Sequence, residues 1–199
     1  MKNKPKIHSI GFLWDLREPL PKVRSKDKVT IKTATSKDEG RLGKIVLEAY
    51  LPEWSWWVRK IGGKEKARAD LMSYISEFLR NRKKRIFVAQ EGKRIIGFCG
   101  VAKCDRGTGT IGYGVAVLPS FRKRGIGSML LLAALDWLKK SRVRFVTLEE
   151  ETFSFANKDS PAIFLYKSIG GKIISDQIFF TGTGMRRIRK ILPPTIPAR

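Results

Sequence analysis

The sequence predicts an α/β fold, with a mixed, mostly antiparallel sheet and helices on both faces. Three observations predict it. From residue 29 onward, segments of period two and segments of period 3.6 follow one another in the order β-α-α-β-β-β-α-β-α-β-β. Hairpin signals come first and strand-to-helix crossovers second, an order that pairs strands antiparallel and then covers both faces. One apolar strand, ending at Leu118, runs through a turn with two glycines directly into an amphipathic helix.

Taken in order, residues 1–28 read as a basic N-terminal arm. Lys2, Lys4 and Lys6 with Pro5, Pro19 and Pro21 oppose a packed core. An apolar island at 10–16 carries Phe12 and Trp14, which need a surface, so it is expected to dock on the domain or on a partner. Val29, Ile31 and Thr33 alternate in a strand over 29–35. Ser36 or Asp38 then caps a helix from about 38 to 50. Residues 51–60 are aromatic, with Trp54, Trp56 and Trp57. A second helix over 64–80 sets Leu71, Tyr74, Ile75, Phe78 and Leu79 on one face. A basic link leads to a strand over 86–90, a turn at Glu91-Gly92-Lys93-Arg94 and a return strand over 95–103.

Asp105-Arg106-Gly107-Thr108 turns the chain into a long strand over 109–118. A helix over 125–140 and a strand over 143–149 follow. Ser160 as N-cap and Pro161 at the first position start another helix, which ends at Ser168-Ile169-Gly170-Gly171 with glycine as C-cap. Strands over 172–180 and 184–191 complete a domain of residues 29–192, and 193–199 form a short tail after Pro193-Pro194.

The 199 residues suit one domain plus tails, and 42% hydrophobic content suffices for its core. No apolar run approaches the roughly 18–20 residues of a membrane span. The basic N-terminus lacks the apolar stretch of a signal peptide, so a cytoplasmic location with no membrane contact is expected. Cys99 and Cys104 stand five apart with no histidine near, which makes no zinc site; they are expected to be reduced and mostly buried. The sole histidine, His8, lies in the basic arm.

Net charge is +23. Residues 29–192 hold 32 of the 41 lysines and arginines and 15 of the 18 acids, so the folded body itself carries +17. Such a field favours polyanions, RNA, DNA or an acidic surface, and so contact with nucleic acid or a ribonucleoprotein such as the ribosome. Asn and Gln total only five, which fits a thermophile, although thermophilic ion-pair networks raise both signs of charge.

The turn after Leu118 carries the chemistry. Arg122-Lys123-Arg124-Gly125-Ile126-Gly127-Ser128 opens a helix whose first amides have no intrahelical acceptor and face outward as donors. The helix dipole and the charges of Arg122, Lys123 and Arg124 favour an anion there. Gly125 and Gly127 lack a Cβ, so a phosphate can approach the backbone. A diphosphate-bearing cofactor is implied.

This turn resembles the Gln/Arg-x-x-Gly-x-Gly/Ala motif of the GCN5-related N-acetyltransferase (GNAT) superfamily. It is flanked by Val115-Ala116-Val117-Leu118-Pro119 and Leu130-Leu131-Leu132-Ala133-Ala134. A second block, Pro161 through Gly170, is similar to the family's Ala-x-x-Leu-Tyr-x-x-x-Gly helix. The resemblance covers residues 29–192. It implies acetyl-CoA as donor, with pyrophosphate on the amides from about Arg124 to Ser128. It implies a pantetheine arm pairing along Ala116, Val117 and Leu118. It implies Tyr166 as proton donor to the departing thiolate; a core aromatic is the alternative. Glu149, heading Glu149-Glu150-Glu151, corresponds to the general base of the branch that acetylates ribosomal-protein N-termini; a charged strand end is the alternative. Trp54, Trp56 and Trp57 fall in the segment that walls the acceptor site, or else form core or a partner-docking patch. The chain departs from the family at Asp159, where many relatives have Asn, and at Gly171, where they usually have Phe. Its 149–160 segment is also longer than in the ribosomal-protein branch.

The implied function is acetyl transfer to a protein amine, an N-terminus or a lysine, in association with RNA or the ribosome. The alternative is an RNA- or ribosome-binding protein on this fold whose catalysis is secondary or lost. Small cationic amines fit a positive field poorly.

Overall fold

The computed structural model describes residues 6–23, 28–49, 58, 62–112, 114–154 and 161–180, with 6–8, 149–154 and 177–180 described by backbone alone. Its strands are β1 (Lys6–Asp15), β2 (Thr30–Thr33), β3 (Lys84–Glu91), β4 (Arg94–Lys103), β5 (Thr108–Thr110), β6 (Val115–Val117), β7 (Phe145–Ser154) and β8 (Lys172–Phe180). Its helices are α1 (Glu39–Ala49), α2 (Lys64–Arg80), α3 (Ile126–Lys140) and α4 (Pro161–Ser168).

The first strand corrects the expected arm. Residues 6–15 lie inside the sheet, between β7 and β8 and antiparallel to both. Pairing with β7 runs the full length, from Lys6 opposite Ser154 to Asp15 opposite Phe145. The physical reason is a period-two signal that Pro and Lys at the flanks conceal. Ile10, Phe12, Trp14 and Leu16 alternate, and all four are buried to 5% exposure or less. Pro19 and Pro21 fall after the strand, where a missing amide costs no ladder bond. Gly11 is needed for the fit, because a Cβ there would lie 2.3 Å from Ser175 Oγ of β8. The ladder to β8 shifts register at this point. The long partner also explains why β7 continues to Ser154 instead of ending near 149.

The sheet order is β2-β3-β4-β5-β7-β1-β8, with β6 paired to β4 beside this path. The β5–β7 pair is parallel and the others are antiparallel. Helices cover both faces. Arg85 reaches the Trp137 ring of α3, while its neighbour Lys84 reaches Tyr74 and Phe78 of α2. Adjacent residues on a strand point to opposite faces, so α2 and α3 lie on opposite sides. The core runs between these layers, from Ile45, Ile75 and Phe78 under α1 and α2 to Leu130, Leu131, Leu135 and Leu138 of α3.

The helix after β2 opens through a short 3-10 turn, Ser36–Asp38, and its cap is Thr35 instead of the expected Ser36 or Asp38. Asp38 Oδ2 accepts the Thr35 amide (2.9 Å) and hydroxyl (3.1 Å), and Oδ1 pairs with Arg41 (2.9 Å). Burial of Asp38 opposes its ionisation, but the Thr35 donors and Arg41 outweigh that and hold the carboxyl below its ordinary range. Cys99 is buried as expected, and burial pushes its thiol up; Cys104 is exposed, against expectation, in the turn after β4. Among the described residues, no cluster of metal-ligating side chains occurs and no helix is long and apolar enough to cross a membrane. The expected strand over 184–191 lies outside the described residues.

Candidate active site

The expected long strand over 109–118 is broken, and the break makes the site. β5 pairs with β4 on one side and with β7 on the other, and the Ile111 amide still donates to the Thr147 carbonyl (2.9 Å). Beyond it the chain turns, with Gly114 at φ +51°, where an L side chain is strained. Helix α2 sits tightly over the break. The Tyr74 hydroxyl donates to the Gly112 carbonyl (3.0 Å), and a Cβ on Gly112 would lie 2.8 Å from the Phe78 ring. After the break β6 follows β4 alone, while β7 continues along β1. The two strands therefore diverge into a wedge.

The orientation of β6 sets what faces that wedge. The Leu118 amide donates to the Ile96 carbonyl of β4 (2.9 Å). By antiparallel alternation Ala116 and Leu118 bond toward β4, and Val115 and Val117 turn their polar backbone groups the other way. An extended polar chain entering the wedge meets a strand edge on which the Val117 carbonyl also accepts from Arg122 Nε (3.1 Å).

The cradle follows at once. Pro119–Phe121 form one 3-10 turn; Lys123 (φ +62°) and Gly125 (φ +80°) are left-handed, and Gly125 is the N-cap of α3. Gly125 has no side chain to cap with, and the first described helical bond runs from the Met129 amide to the Gly125 carbonyl (3.1 Å). The amides of Ile126, Gly127 and Ser128 thus point out at the positive end of a 15-residue helix. A left-handed residue before right-handed ones aims consecutive amides into one concavity, the geometry of an anion nest. The outward backbone edge of β6 leads to the amides of the cradle, an order that fits a cofactor joining an extended chain to a diphosphate.

Two details of the cradle differ from expectation. Arg122 donates Nε to the Val117 carbonyl (3.1 Å) and NH2 to the Ala49 carbonyl at the end of α1 (3.4 Å). Arg124 donates to the Ser120 carbonyl (3.0 Å) and lies 5.2 Å from the Phe121 ring. Both cations hold the loop in shape as well as supplying field. The two glycines also divide their work: Gly125 supplies the left-handed turn, whereas a Cβ on Gly127 would meet Leu165 of α4 at 3.2 Å and Val115 at 3.5 Å. Gly127 permits close packing against α4.

That contact brings α4 to the cradle, and Tyr166 is the next residue along it. Tyr166 is buried to 1%, with its ring edge-on to Phe12 (5.3 Å) and Trp14 (6.1 Å). The Trp14 indole N–H donates to the Ile169 carbonyl (3.1 Å) at the end of α4. Gly171 is explained by the same ring: a Cβ there would lie 2.7 Å from Trp14 Cζ2 and 2.7 Å from the Tyr166 carbonyl. An aromatic supplied by β1 fills the space beside Gly171. Glu149 stands opposite Gly11 on β7, two residues past Thr147, the last partner of β5. Its side chain and those of Glu150 and Glu151 lie outside the described residues, as do Trp54, Trp56 and Trp57.

Comparison with known proteins agrees with this geometry. Residues 45–170 match the model of the acetyltransferase (GNAT) family. The fold is similar to the GCN5-related N-acetyltransferase of Sphaerobacter thermophilus, at 20% identity and TM-score 0.65, over 96% of this chain and 54% of that one. The chain thus spans about half the length of that protein. It is also similar to the ribosomal-protein-S18-alanine N-acetyltransferase of Escherichia coli, at 20% identity and TM-score 0.52, over 71% and 76% of the two chains. A third likeness is to AAC(6')-Iy bound to the bisubstrate analog CoA-S-monomethyl-acetylneamine, at 17% identity and TM-score 0.52, over 72% and 90%. Among curated proteins none matches the sequence. On the family model, with the sheet and the uncapped cradle consistent with it, this chain belongs to the acetyltransferase (GNAT) family, whose members use acetyl-CoA.

Proposed function

We propose that the chain transfers acetyl from acetyl-CoA to an amine of a protein, an N-terminus or a lysine, while associated with RNA or a ribonucleoprotein such as the ribosome. The observation that carries the reading is the diverging β6–β7 wedge leading to uncapped amides at the start of α3. Acetyl-CoA supplies the acetyl thioester; the chain supplies the rest. The amides of Arg124, Gly125, Ile126, Gly127 and Ser128 hold the diphosphate, with Arg122 and Lys123 adding charge. The backbone of Ala116, Val117 and Leu118 orients the extended arm. Glu149 would take a proton from the acceptor's ammonium so that the free amine attacks the thioester carbonyl; as the C–N bond forms and the C–S bond breaks, the Tyr166 hydroxyl would give a proton to the departing thiolate. The +17 of residues 29–192 argues against small polyamine-like acceptors, which such a field repels.

A second reading, an RNA- or ribosome-binding protein with catalysis secondary or lost, is favoured by the same charge and by Tyr166 lying at 1% exposure. A melt followed by a turnover assay separates the two. Acetyl-CoA at 100 times its Kd stabilises by about 2.7 kcal/mol, about 5–11 °C for a chain of this size. Gly125→Asp abolishes the shift, because Asp tolerates a left-handed position but sets a carboxylate against the diphosphate. A wild-type melt unmoved by millimolar acetyl-CoA overturns the enzyme reading. A shift without acetylation of any N-terminal or lysine peptide favours the second.

A further inference from the structure

A face of the molecule well away from the wedge carries its own pattern. On the α3 side of the sheet, an open groove of ≈ 380 Å³ runs between the last two turns of α3 and the edge strand β2. Phe87, Ala133 and Trp137 line it, and Lys32, Lys140 and Asp136 border it. Trp137 is partly exposed and held by two cations: the Arg85 guanidinium at 5.7 Å and the Lys103 ammonium at 5.4 Å from its ring. Strand alternation puts Arg85, Phe87 and Lys103 on this one face, since Arg85 and Phe87 pair with Val101 and Cys99, and Lys103 is two residues beyond Val101.

The charge is one-sided. Arg106 and Arg142 extend the basic surface from Lys103 across adjoining turns, which the Arg144 amide ties together through the Gly107 carbonyl (2.8 Å). The acids of this face are already engaged: Asp136 with Lys140 (2.6 Å) and Asp105 with Lys83 (3.2 Å). Trp137 lies eleven residues past Ile126, about 16 Å along the helix from the cradle.

We propose that this groove binds single-stranded nucleic acid, with a base against Trp137 and the backbone phosphates on Arg85, Lys103 and Lys140. This rests on the polyanion association above and gives it a location. An open groove beside an edge strand admits one extended strand, and an aromatic set among cations is how such strands are held without sequence preference. A protein partner presenting carboxylates would use the cations but gain no stacking from the indole. The placement leaves the wedge free, so a chain held here can hold its acetyl donor at the same time.

The test is fluorescence anisotropy of the full chain with labelled 12-nucleotide oligo(U) and oligo(dT), from 50 to 200 mM salt. Trp137→Leu is expected to weaken oligo(U) binding about 5- to 150-fold at fixed salt, the range for losing one stacked base. Lys103→Gln with Lys140→Gln, which leaves the core untouched, is expected to lower the log–log salt slope by about 1.4. Lys44→Gln with Lys66→Gln, exposed on the opposite helices, is expected to bind as wild type. Wild type that binds neither oligonucleotide overturns the association itself. Wild type that binds, with the groove variants unchanged, overturns the location alone. Poly-glutamate binding as tightly as oligo(U), with no effect of Trp137→Leu, assigns the face to an acidic protein and overturns the proposal.

Discussion

Replacing Trp14 by alanine tests whether the N-terminal segment is a strand of the sheet or an arm lying on it. Trp14 is 2% exposed, packs on Phe12 and Tyr166, and fills the space beside Gly171. Truncating a buried tryptophan costs about 3–5 kcal/mol through lost transfer energy and the cavity left behind. The indole N–H also satisfies the Ile169 carbonyl at the end of α4. Leaving that acceptor unpaired adds about 1 kcal/mol. The expected loss is about 4–6 kcal/mol against a typical total of about 5–15. At about 2–4 °C per kcal/mol for a chain of this length, Tm falls by about 8–24 °C. Differential scanning calorimetry, backed by urea midpoints, reads the change. Lys22→Ala, exposed just beyond the strand, is the control and leaves Tm unchanged. A fall below about 2 °C in the Trp14 variant refutes the packing described, and the segment returns to being an arm.

Three further outcomes follow from the same geometry. Tyr166→Phe keeps the ring packing and removes only the hydroxyl, so kcat falls about 10²–10⁴-fold in a peptide acetylation assay while acetyl-CoA affinity stays near wild type; wild-type turnover leaves Tyr166 a core aromatic. Asp38→Asn weakens a charged cap and costs about 1 kcal/mol at pH 7. Because the folded carboxyl ionises below its ordinary value, this stability is present above about pH 4 and is lost as pH falls through the lower folded value, so urea midpoints of the two proteins draw together as pH falls below about 4. A separation that does not narrow on acidification contradicts the charged cap. Removing residues 1–9 strips Lys6–Ser9 from β1, uncovering both neighbouring strands, and is expected to cost about 2–4 kcal/mol at roughly 1 kcal/mol per ladder bond; an unchanged melt places that end of β1 outside the sheet.

What the sequence determined by itself is what neighbours along the chain decide. The 64–80 helix was legible because its apolar spacing repeats within one segment, and the β3–β4 hairpin because its turn residues sit between two alternating runs. The cradle was legible for the same reason: a left-handed glycine, an uncapped helix start and the basic residues before it are adjacent in sequence. The second motif was legible as a helix, but not as a neighbour of the cradle. Tertiary structure alone decided that Leu165 meets Gly127, that Arg122 clamps the end of α1, and that β5 and β6 part at Gly112 under Tyr74 and Phe78. It also decided the fate of the N-terminus. Ile10, Phe12, Trp14 and Leu16 do alternate, yet alternation states only that one face wants burial, not which strands will flank it. The partners of β1 begin 130 or more residues later in the chain, at Phe145 and Lys172, and only the assembled sheet brings them to it. The departure at Gly171 has the same origin, because the ring that replaces a missing aromatic comes from the far end of the chain, and close packing is a property of space, not of sequence order.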